Sequence, residues 1–399
     1  MTPLAELPPE QQRYRVLVNL TWLVPGVVGG SEESTTAALR AIAADSPADI
    51  EIHLAVLRPF LDAHPDLVQA FTHHVLDVDG RNKIRRVIAE QSWLARVCKK
   101  IDAQLVHHAG GVVPLRHPGR VVLTIHDLQP LDLAQNFSTT KRLYLRAMLG
   151  RSAAAAEVIC VPSEFTSGRV VELLGVEQDR VRIVPWCVSP SAARVGSGST
   201  SGATNSTSPT LSHLGDECQY FLYPAVTYAH KNHLMLIEAF ARLLPNNPKL
   251  RLVLTGAAGP LEPQVQQRIA QLGLSESILR TARVPAAELE ALFAHAVAVV
   301  VPSLYEGFGL PALEAMSRGC LVLGANQGSL PEVLRSEDLV DPQDLTTWAE
   351  AMQAVLVLTD SERAERIAAG ISRAATFTPH RTASALCDSY RAALAAQPL

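Results

Sequence analysis

Short apolar runs rich in β-branched residues recur along the chain, separated by stretches whose apolar positions repeat at helical spacing. In the first half the runs are Arg15–Leu20, Glu51–Val56, His74–Val78, Gln104–His107, Val121–Ile125 and Val158–Val161. Helical spacing covers Ser34–Ala44, Arg81–Lys100, Thr139–Ala155 and Glu164–Leu174 between them. The runs are close to continuously apolar, as in strands buried on both faces, so the pattern predicts a parallel sheet covered by helices. From Gly196 to Thr210 the pattern breaks, and the chain is almost wholly Gly, Ser and Thr. Such a stretch has too little apolar surface to offset its ordering entropy, and 196–214 reads as a flexible linker. The alternation then restarts. Strands are expected at Tyr220–Tyr223, Leu250–Thr255, Ala298–Pro302 and Leu321–Gly324. Helices are expected at His233–Leu244, Pro263–Leu272, Ala286–Ala296, Pro311–Arg318, Leu345–Leu358, Ser361–Ala375 and His380–Ala395. The fold class is therefore α/β, with two doubly wound Rossmann-like domains, 1–195 and 215–378, and a closing segment 379–399 that returns toward the first. Open sheets of this kind bind ligands beyond the carboxyl ends of their strands, which places the site in a central cleft.

Composition narrows the class. A chain of 399 residues, 48% hydrophobic and 19% charged, has material for two cores. Its formal net charge of -4 and aromatic content of 5% argue against nucleic acid as a partner. The cysteines, Cys98, Cys160, Cys187, Cys218, Cys320 and Cys387, form no C-x-x-C pair, so neither zinc nor a disulfide framework is indicated. Met1 to Gln12 lacks the apolar core of a signal peptide, and no apolar run nears the ~20 residues that span a bilayer. The expected place is the cytoplasm.

The richest stretch runs from Val299 to Met316: apolar strand, glycine turn, helix start, with Glu306 and Glu314 on either side of the turn. Free N–H groups of a first helical turn and the helix dipole favour an anion. Flanking carboxylates seek hydroxyls, so the ligand carries both phosphate and sugar hydroxyls. Glu306 is expected in a wet cleft, where its removal costs function and little stability. Three further segments follow strands. Gly29 and Gly30 sit in a turn that lets backbone approach a ligand, although the G-x-G-x-x-G spacing is absent. His126 and Asp127 end an apolar strand, where imidazole can donate to phosphate or to a sugar hydroxyl. Lys231 stands beside a helix start and suits a phosphate; a solvated surface lysine is the plainer reading of that residue alone. Asp77-Val78-Asp79 fits the D-x-D pattern of metal-dependent transferases, but it ends a strand ahead of Gly80 and a basic helix and reads as an acidic loop. No metal site is expected.

These ordered motifs resemble the retaining glycosyltransferases of family 4, group 1, with their GT-B architecture. The matching residues are Gly29-Gly30, Val121–Leu128, Val161–Phe165, Lys231-Asn232, Thr255-Gly256, Glu306 through Glu314, Pro331–Val333 and Leu339–Pro342. The resemblance implies roles. Glu306 binds donor-sugar hydroxyls. Phe308, Gly309 and Leu310 offer backbone N–H groups to sugar and diphosphate. Glu314 accepts from the ribose, Lys231 neutralises the diphosphate, and His126 contacts sugar and phosphate. Gly29 and Gly30 let the loop close, and the base lies near Arg283 and Val284. The family's arginine about five residues before the lysine is missing: Ala225-Val226 stands there. Either His230 or another arginine substitutes, or the site is weaker. The pattern around Trp22–Glu33 and Tyr223–His233 is similar to bacterial mannosyltransferase-like members, which favours GDP-mannose as co-substrate, with no cofactor and no metal.

A glycan or lipid-linked acceptor is expected on the first domain, in surface polysaccharide or glycoconjugate synthesis. The segment from Arg81 to Ile88 is basic and helical, with Trp93, Arg96, Lys99 and Lys100 beyond. It fits peripheral contact with an anionic membrane, at the inner face of the cell membrane. A solvated helix face is the preferred reading of those residues. Other classes remain: a catalytically silent GT-B module that binds nucleotide or a partner, a phosphorylase, and a sugar-nucleotide epimerase. The intact Glu306–Glu314 motif favours transfer.

Overall fold

In the computed structural model, residues 13–133, 139–188, 209–214 and 218–397 are described. The apolar runs form two parallel sheets. The first contains β1 (Tyr14–Asn19), β2 (Ile50–Leu57), β3 (Thr72–Leu76), β4 (Leu105–His108), β5 (Arg120–Thr124), β6 (Val158–Val161) and β7 (Val181–Ile183), in the order β3-β2-β1-β4-β5-β6-β7. The second contains β8 (Tyr220–Pro224), β9 (Arg251–Thr255), β10 (Ile278–Thr281), β11 (Ala298–Val301), β12 (Val322–Ala325) and β13 (Leu339–Val340), in the order β10-β9-β8-β11-β12-β13. Continuous burial follows from helices on both faces: Val16, Leu17, Leu54, Val106 and Val122 are fully buried in the first sheet, and Phe221, Val253 and Val299 in the second.

Each sheet reverses its strand order once, between β1 and β4 in the first and between β8 and β11 in the second. Asn19 pairs with His108 at the carboxyl end of the first reversal. The chain leaves neighbouring strands in opposite directions there, which opens a crevice in each domain.

Helix Pro379–Ala395 packs on helix Gly30–Asp45 and on the first sheet. Its Ala383, Leu386, Cys387, Tyr390 and Ala393 join Val16, Val18 and Val122 in one core. The Tyr390 hydroxyl meets His107 Nδ1 at 2.9 Å, and Arg391 forks onto Asp49. The end of the chain thus ties the second domain back to the first.

Three departures from the sequence pattern have local causes. The linker expected over 196–214 lies outside the described residues as far as 208, but Pro209–Leu214 is a helix, because Leu211 and Leu214 share a face that rests on the second core. Strand β3 ends at Leu76, so Val78 and the two acids follow it in an exposed loop. Asp77 accepts from Arg58, and Asp79 from the Arg81 backbone N–H. Strands β7, β10 and β13 have at most four residues, too few for alternation to register.

Candidate functional site

The second-domain half is built around the β8/β11 crevice. After β8, a single 3-10 turn, Ala229–Lys231, is pinned from several sides. The Tyr223 hydroxyl donates to the Lys231 carbonyl at 2.8 Å. Asn232 adopts φ 57°, and its amide donates to Pro302 O at 3.2 Å and Pro342 O at 3.1 Å. The Lys231 ammonium is thereby held against the loop after β11, where it donates to Glu306 Oε1 at 2.6 Å. Their side chains are only 18% and 10% exposed. This corrects the expectation of a wet Glu306. Gly328 packs on its backbone, where a Cβ would lie 3.0 Å from Glu306 N and O, and Ser329 Oγ donates to its carbonyl.

The turn beyond Glu306 leads into helix Leu310–Ser317. Gly309 caps it with φ 99°, a conformation that favours glycine. The Phe308 side chain is core, packed on Trp186 and Phe377, and Leu310 is buried, so the backbone N–H groups are what this turn offers a ligand. At Ala225-Val226, where the family arginine is absent, Gly256 lies so close that a Cβ there would sit 2.5 Å from Ala225 O. His230 does not replace the missing cation. Burial lowers it to about 4, leaving it neutral, and its Nδ1 faces Gln129 Nε2 at 2.6 Å. Arg280 is committed to Glu262 and to the Gly256 carbonyl.

Gly29, at φ 68°, precedes helix Gly30–Asp45 on the opposite wall. Gly30 faces Leu310, whose Cδ2 lies 3.8 Å from where a Cβ would stand. His126 sits between Trp22 and Trp186, at ring distances of 5.7 and 5.5 Å. Its Nε2–H donates to Ala109 O at 2.9 Å, which leaves Nδ1 as a lone-pair acceptor with no partner among the described residues. Burial lowers the ring to about 4. His126 is thus neutral and accepts; at Nδ1 it can take a sugar hydroxyl, but it does not donate to a phosphate as its strand-end position had implied. A cavity of ≈ 40 Å³ lies beside it, lined by Ser34, Thr35, His107 and Trp186 among others.

The walls meet in a floor of direct contacts. A Cβ on Gly307 would lie 2.4 Å from His126 O, so only glycine lets the two backbones touch. Ser163 Oγ and Thr166 Oγ1 donate to Gly307 O at 2.7 and 3.1 Å. The Tyr305 hydroxyl donates to Asp132 at 2.9 Å. Glu332 accepts from the backbone N–H groups of Glu164 and Phe165 at 2.8 and 2.7 Å, capping helix Glu164–Leu174 from the other domain.

At the rim, Arg283 Nη1 donates to Gly26 O at 2.9 Å, so this exposed arginine bridges the cleft, while Val284 packs on the second core. Glu314, one turn into its helix, hydrogen-bonds Glu33 from the opposite domain. Burial of its carboxyl, with Glu33 adding, raises Glu314 to about 7. Trp186 carries no sequence signal, and Glu33, Tyr305 and Glu332, which lie within the quoted motifs, carry no role there. Asp127, quoted there but given no role, lies within electrostatic reach of Lys231 and Glu306. Each of these acts through a partner far along the chain, and no local pattern signals it. Among the described residues no group of three His, Cys, Asp or Glu could hold a metal ion.

Two family models match in tandem: "Glycosyltransferase Family 4" over residues 28–192 and "Glycosyl transferases group 1" over residues 212–372. The chain is similar to O-antigen chain mannosyltransferase B of Escherichia coli, 29% identical over 310 residues, 75% of this chain and 77% of that protein. It is 31% identical over 238 residues to a D-inositol 3-phosphate glycosyltransferase of Nocardia farcinica, 57% of this chain and half of that one. Among solved structures, a glycosyltransferase from Rickettsia africae shares the fold at TM-score 0.70 and 15% identity, over 96% of this chain and 100% of that chain. Anabaena Alr3699/HepE in complex with UDP and glucose does so at TM-score 0.70 and 16% identity, over 95% and 100%.

Proposed function

The chain belongs to the family 4, group 1 glycosyltransferases of the GT-B fold, and from that premise we propose that it moves a mannose-type hexosyl group, with retention, from a nucleoside-diphosphate sugar to a glycan or lipid-linked acceptor. The observation that carries this reading is the Lys231–Glu306 pair at the β8/β11 crevice, beside the N-terminus of helix Leu310–Ser317.

Breaking a glycosyl–phosphate bond develops positive charge at the anomeric carbon and negative charge on the diphosphate. Lys231 and the N–H groups of Gly309 and Leu310 would stabilise the departing diphosphate before any reorganisation of solvent. Glu306, released from Lys231, would hold the sugar hydroxyls. His126 Nδ1 would accept a further hydroxyl, and Glu314 the ribose. Lys231 and the backbone N–H groups would carry the anionic load of the diphosphate, while the acceptors hold hydroxyls. The similarity to an O-antigen mannosyltransferase supports GDP-mannose as donor and a surface polysaccharide as destination.

The acceptor side carries exposed apolar residues on three adjoining elements. Ile84, Val87 and Ile88 lie on helix Lys83–Ile101, Val112 and Leu115 on the loop between β4 and β5, and Leu143 and Tyr144 on helix Thr139–Ala154. Lys83, Arg85 and Arg116 are exposed beside them. This surface supports peripheral contact with an anionic bilayer that presents the acceptor. No helix among the described residues is long and apolar enough to cross a membrane.

Incubation with a panel of nucleotide sugars, read by mass spectrometry for donor consumption, tests the reading. GDP-mannose is expected to be consumed. A chain that binds no nucleoside diphosphate by calorimetry while correctly folded is not a transferase of this kind, and one that binds nucleotide and consumes no donor is a silent binding module.

A further inference from the structure

Lys231 and Glu306 both belong to the second domain, yet the residues beside them are held from the first. Strand β5 ends at Thr124, and the chain beyond it forms a short helix, Gln129–Asp132. Asp127 Oδ1 accepts from the Gln129 N–H at 3.1 Å, and the Leu131 and Asp132 N–H groups donate to Leu128 O at 2.8 and 3.1 Å. The segment is thus closed on itself. Arg169, on helix Glu164–Leu174, donates through Nε to Asp132 Oδ2 at 3.1 Å and through Nη2 to Oδ1, a fork that fixes the carboxylate.

From this segment contacts cross to the neighbours of both members of the pair. Gln129 Nε2 donates to His230 Nδ1 at 2.6 Å, one residue from Lys231. The Tyr305 hydroxyl, one residue from Glu306, donates to Asp132 Oδ2 at 2.9 Å and accepts from the Leu128 N–H at 3.3 Å. On the other side of Glu306, Gly307 lies against His126 O. The Tyr305 ring is buried and meets Phe165 edge-on at 5.3 Å. Both hydrogen-bond partners of its hydroxyl are first-domain groups, and a buried hydroxyl deprived of them is costly. Inside the second domain the Leu304 N–H donates to His230 O at 2.7 Å, which ties the two held stretches together.

We infer that Gln129 and Tyr305 are positioning residues: the first-domain segment Leu128–Asp132 sets the spacing of Lys231 and Glu306, through His230 for the lysine and through the Tyr305 hydroxyl for the carboxylate. The inference rests on the glycosyltransferase reading, in which Lys231 meets the diphosphate and Glu306 the transferred sugar. Neither positioning residue touches the donor in that reading. The pair is then correctly spaced only while the two domains are in contact, and a shift of about an ångström is enough to disorganise transfer. The two arms differ in effect. Loosening Tyr305 frees the group that holds the sugar, and loosening Gln129 frees the group that holds the leaving diphosphate.

Consumption of GDP-mannose, calorimetric affinity for GDP and the melting midpoint, measured on the full chain well below that midpoint, test this. Tyr305→Phe keeps the ring on Phe165 and drops only the hydroxyl; its kcat is expected to fall on the order of tenfold, with GDP affinity within about twofold of wild type. Gln129→Leu is expected to weaken GDP binding about fivefold and to lower kcat as well, because the lysine is the group set loose. Nitrogen-15 NMR of the Lys231 ammonium supplies a reading independent of turnover: a signal protected from exchange is expected in wild type, and a broadened one in Gln129→Leu. Wild-type kcat in Tyr305→Phe, an unchanged ammonium signal in Gln129→Leu, or losses of turnover that follow the melting midpoint alone would overturn the positioning roles. A wild type that binds GDP and consumes no donor would instead sink the transferase reading, and the ammonium signal would then decide by itself whether Gln129 positions Lys231.

Discussion

Lys231 Nζ and Glu306 Oε1 meet at 2.6 Å from opposite sides of the β8/β11 crevice, each largely shielded from solvent. Each is the other's counter-charge while the cleft holds no donor, so a single substitution has two effects. Glu306→Ala is expected to abolish transfer and also to lower stability by roughly 1–3 kcal/mol, because it strands a partly buried ammonium. Glu306→Ala combined with Lys231→Met should regain much of that stability and none of the activity. Urea denaturation of both variants decides the point; a single variant as stable as wild type would mean the pair contributes nothing to the fold.

The His126 tautomer is open to direct measurement. With Nε2–H on Ala109 O and the ring lowered to about 4 by burial, nitrogen-15 NMR should show a proton on Nε2, none on Nδ1, and no titration between pH 8 and 5. An imidazole titrating near 6.5 would contradict the enclosure by Trp22 and Trp186.

Acid sensitivity follows from several buried imidazoles. His107 and His108 are lowered to about 3, and His126, His230 and His233 to about 4, burial being the largest cause in each. Below their ordinary value of 6.5 the unfolded chain takes up protons that the fold refuses until near 3–4. The unfolded state therefore gains as pH falls through that window, and stability is lost from 6.5 downward. The melting midpoint should fall steadily from pH 6.5 to 4 and change little from this source above 6.5. His233→Gln should make the fall shallower.

Much of the architecture was legible because local signals agreed. Helix Glu164–Leu174 was placed to the residue: Ser163 caps it by accepting from Thr166 N, and Gly175 ends it in the left-handed conformation. Near-continuous apolar strands identified two parallel sheets, and the Glu306–Glu314 spacing pointed to the second-domain crevice. What escaped was long-range. Nothing near Glu332 announces that it caps a helix 168 residues earlier, and nothing near Gly307 reveals that His126 O fills the space of its missing side chain. The strand-end position of His126 was readable; the Ala109 carbonyl that sets its tautomer belongs to another strand's loop.

Gly307 makes the closeness of the two domains testable. A Cβ at this position would meet His126 O at 2.4 Å and Asp127 Cβ at 3.0 Å, and a backbone carbonyl cannot swing aside as a flexible side chain can. Gly307→Ala is expected to part the cleft floor and strain the Ser163 and Thr166 bonds to Gly307 O. Transfer should fall at least tenfold, with nucleoside diphosphate affinity less affected because the Lys231 turn is separately anchored. Retention of full activity would show that the two domains work farther apart.

Glu33 and Glu314 face each other from opposite domains. Glu314 is raised from 4.5 to about 7, by burial first and Glu33 second, and the two carboxyls hydrogen-bond across the cleft. Between those values the fold keeps a proton that the unfolded chain has released. This group's stabilising contribution therefore declines as pH rises from 4.5 to about 7 and is level above. That slope opposes the histidines. Glu314→Gln should remove it, so the variant's melting midpoint should gain on wild type as pH climbs through this window. Glu33→Gln, which takes away the like charge, should shift Glu314 downward. A ribose diol donates best to an ionised Glu314, so GDP binding should tighten as pH passes 7, and at lower pH in Glu33→Gln. Calorimetry from pH 5.5 to 8 on both proteins measures this; identical pH profiles would mean that the Glu33–Glu314 contact does not couple the two domains.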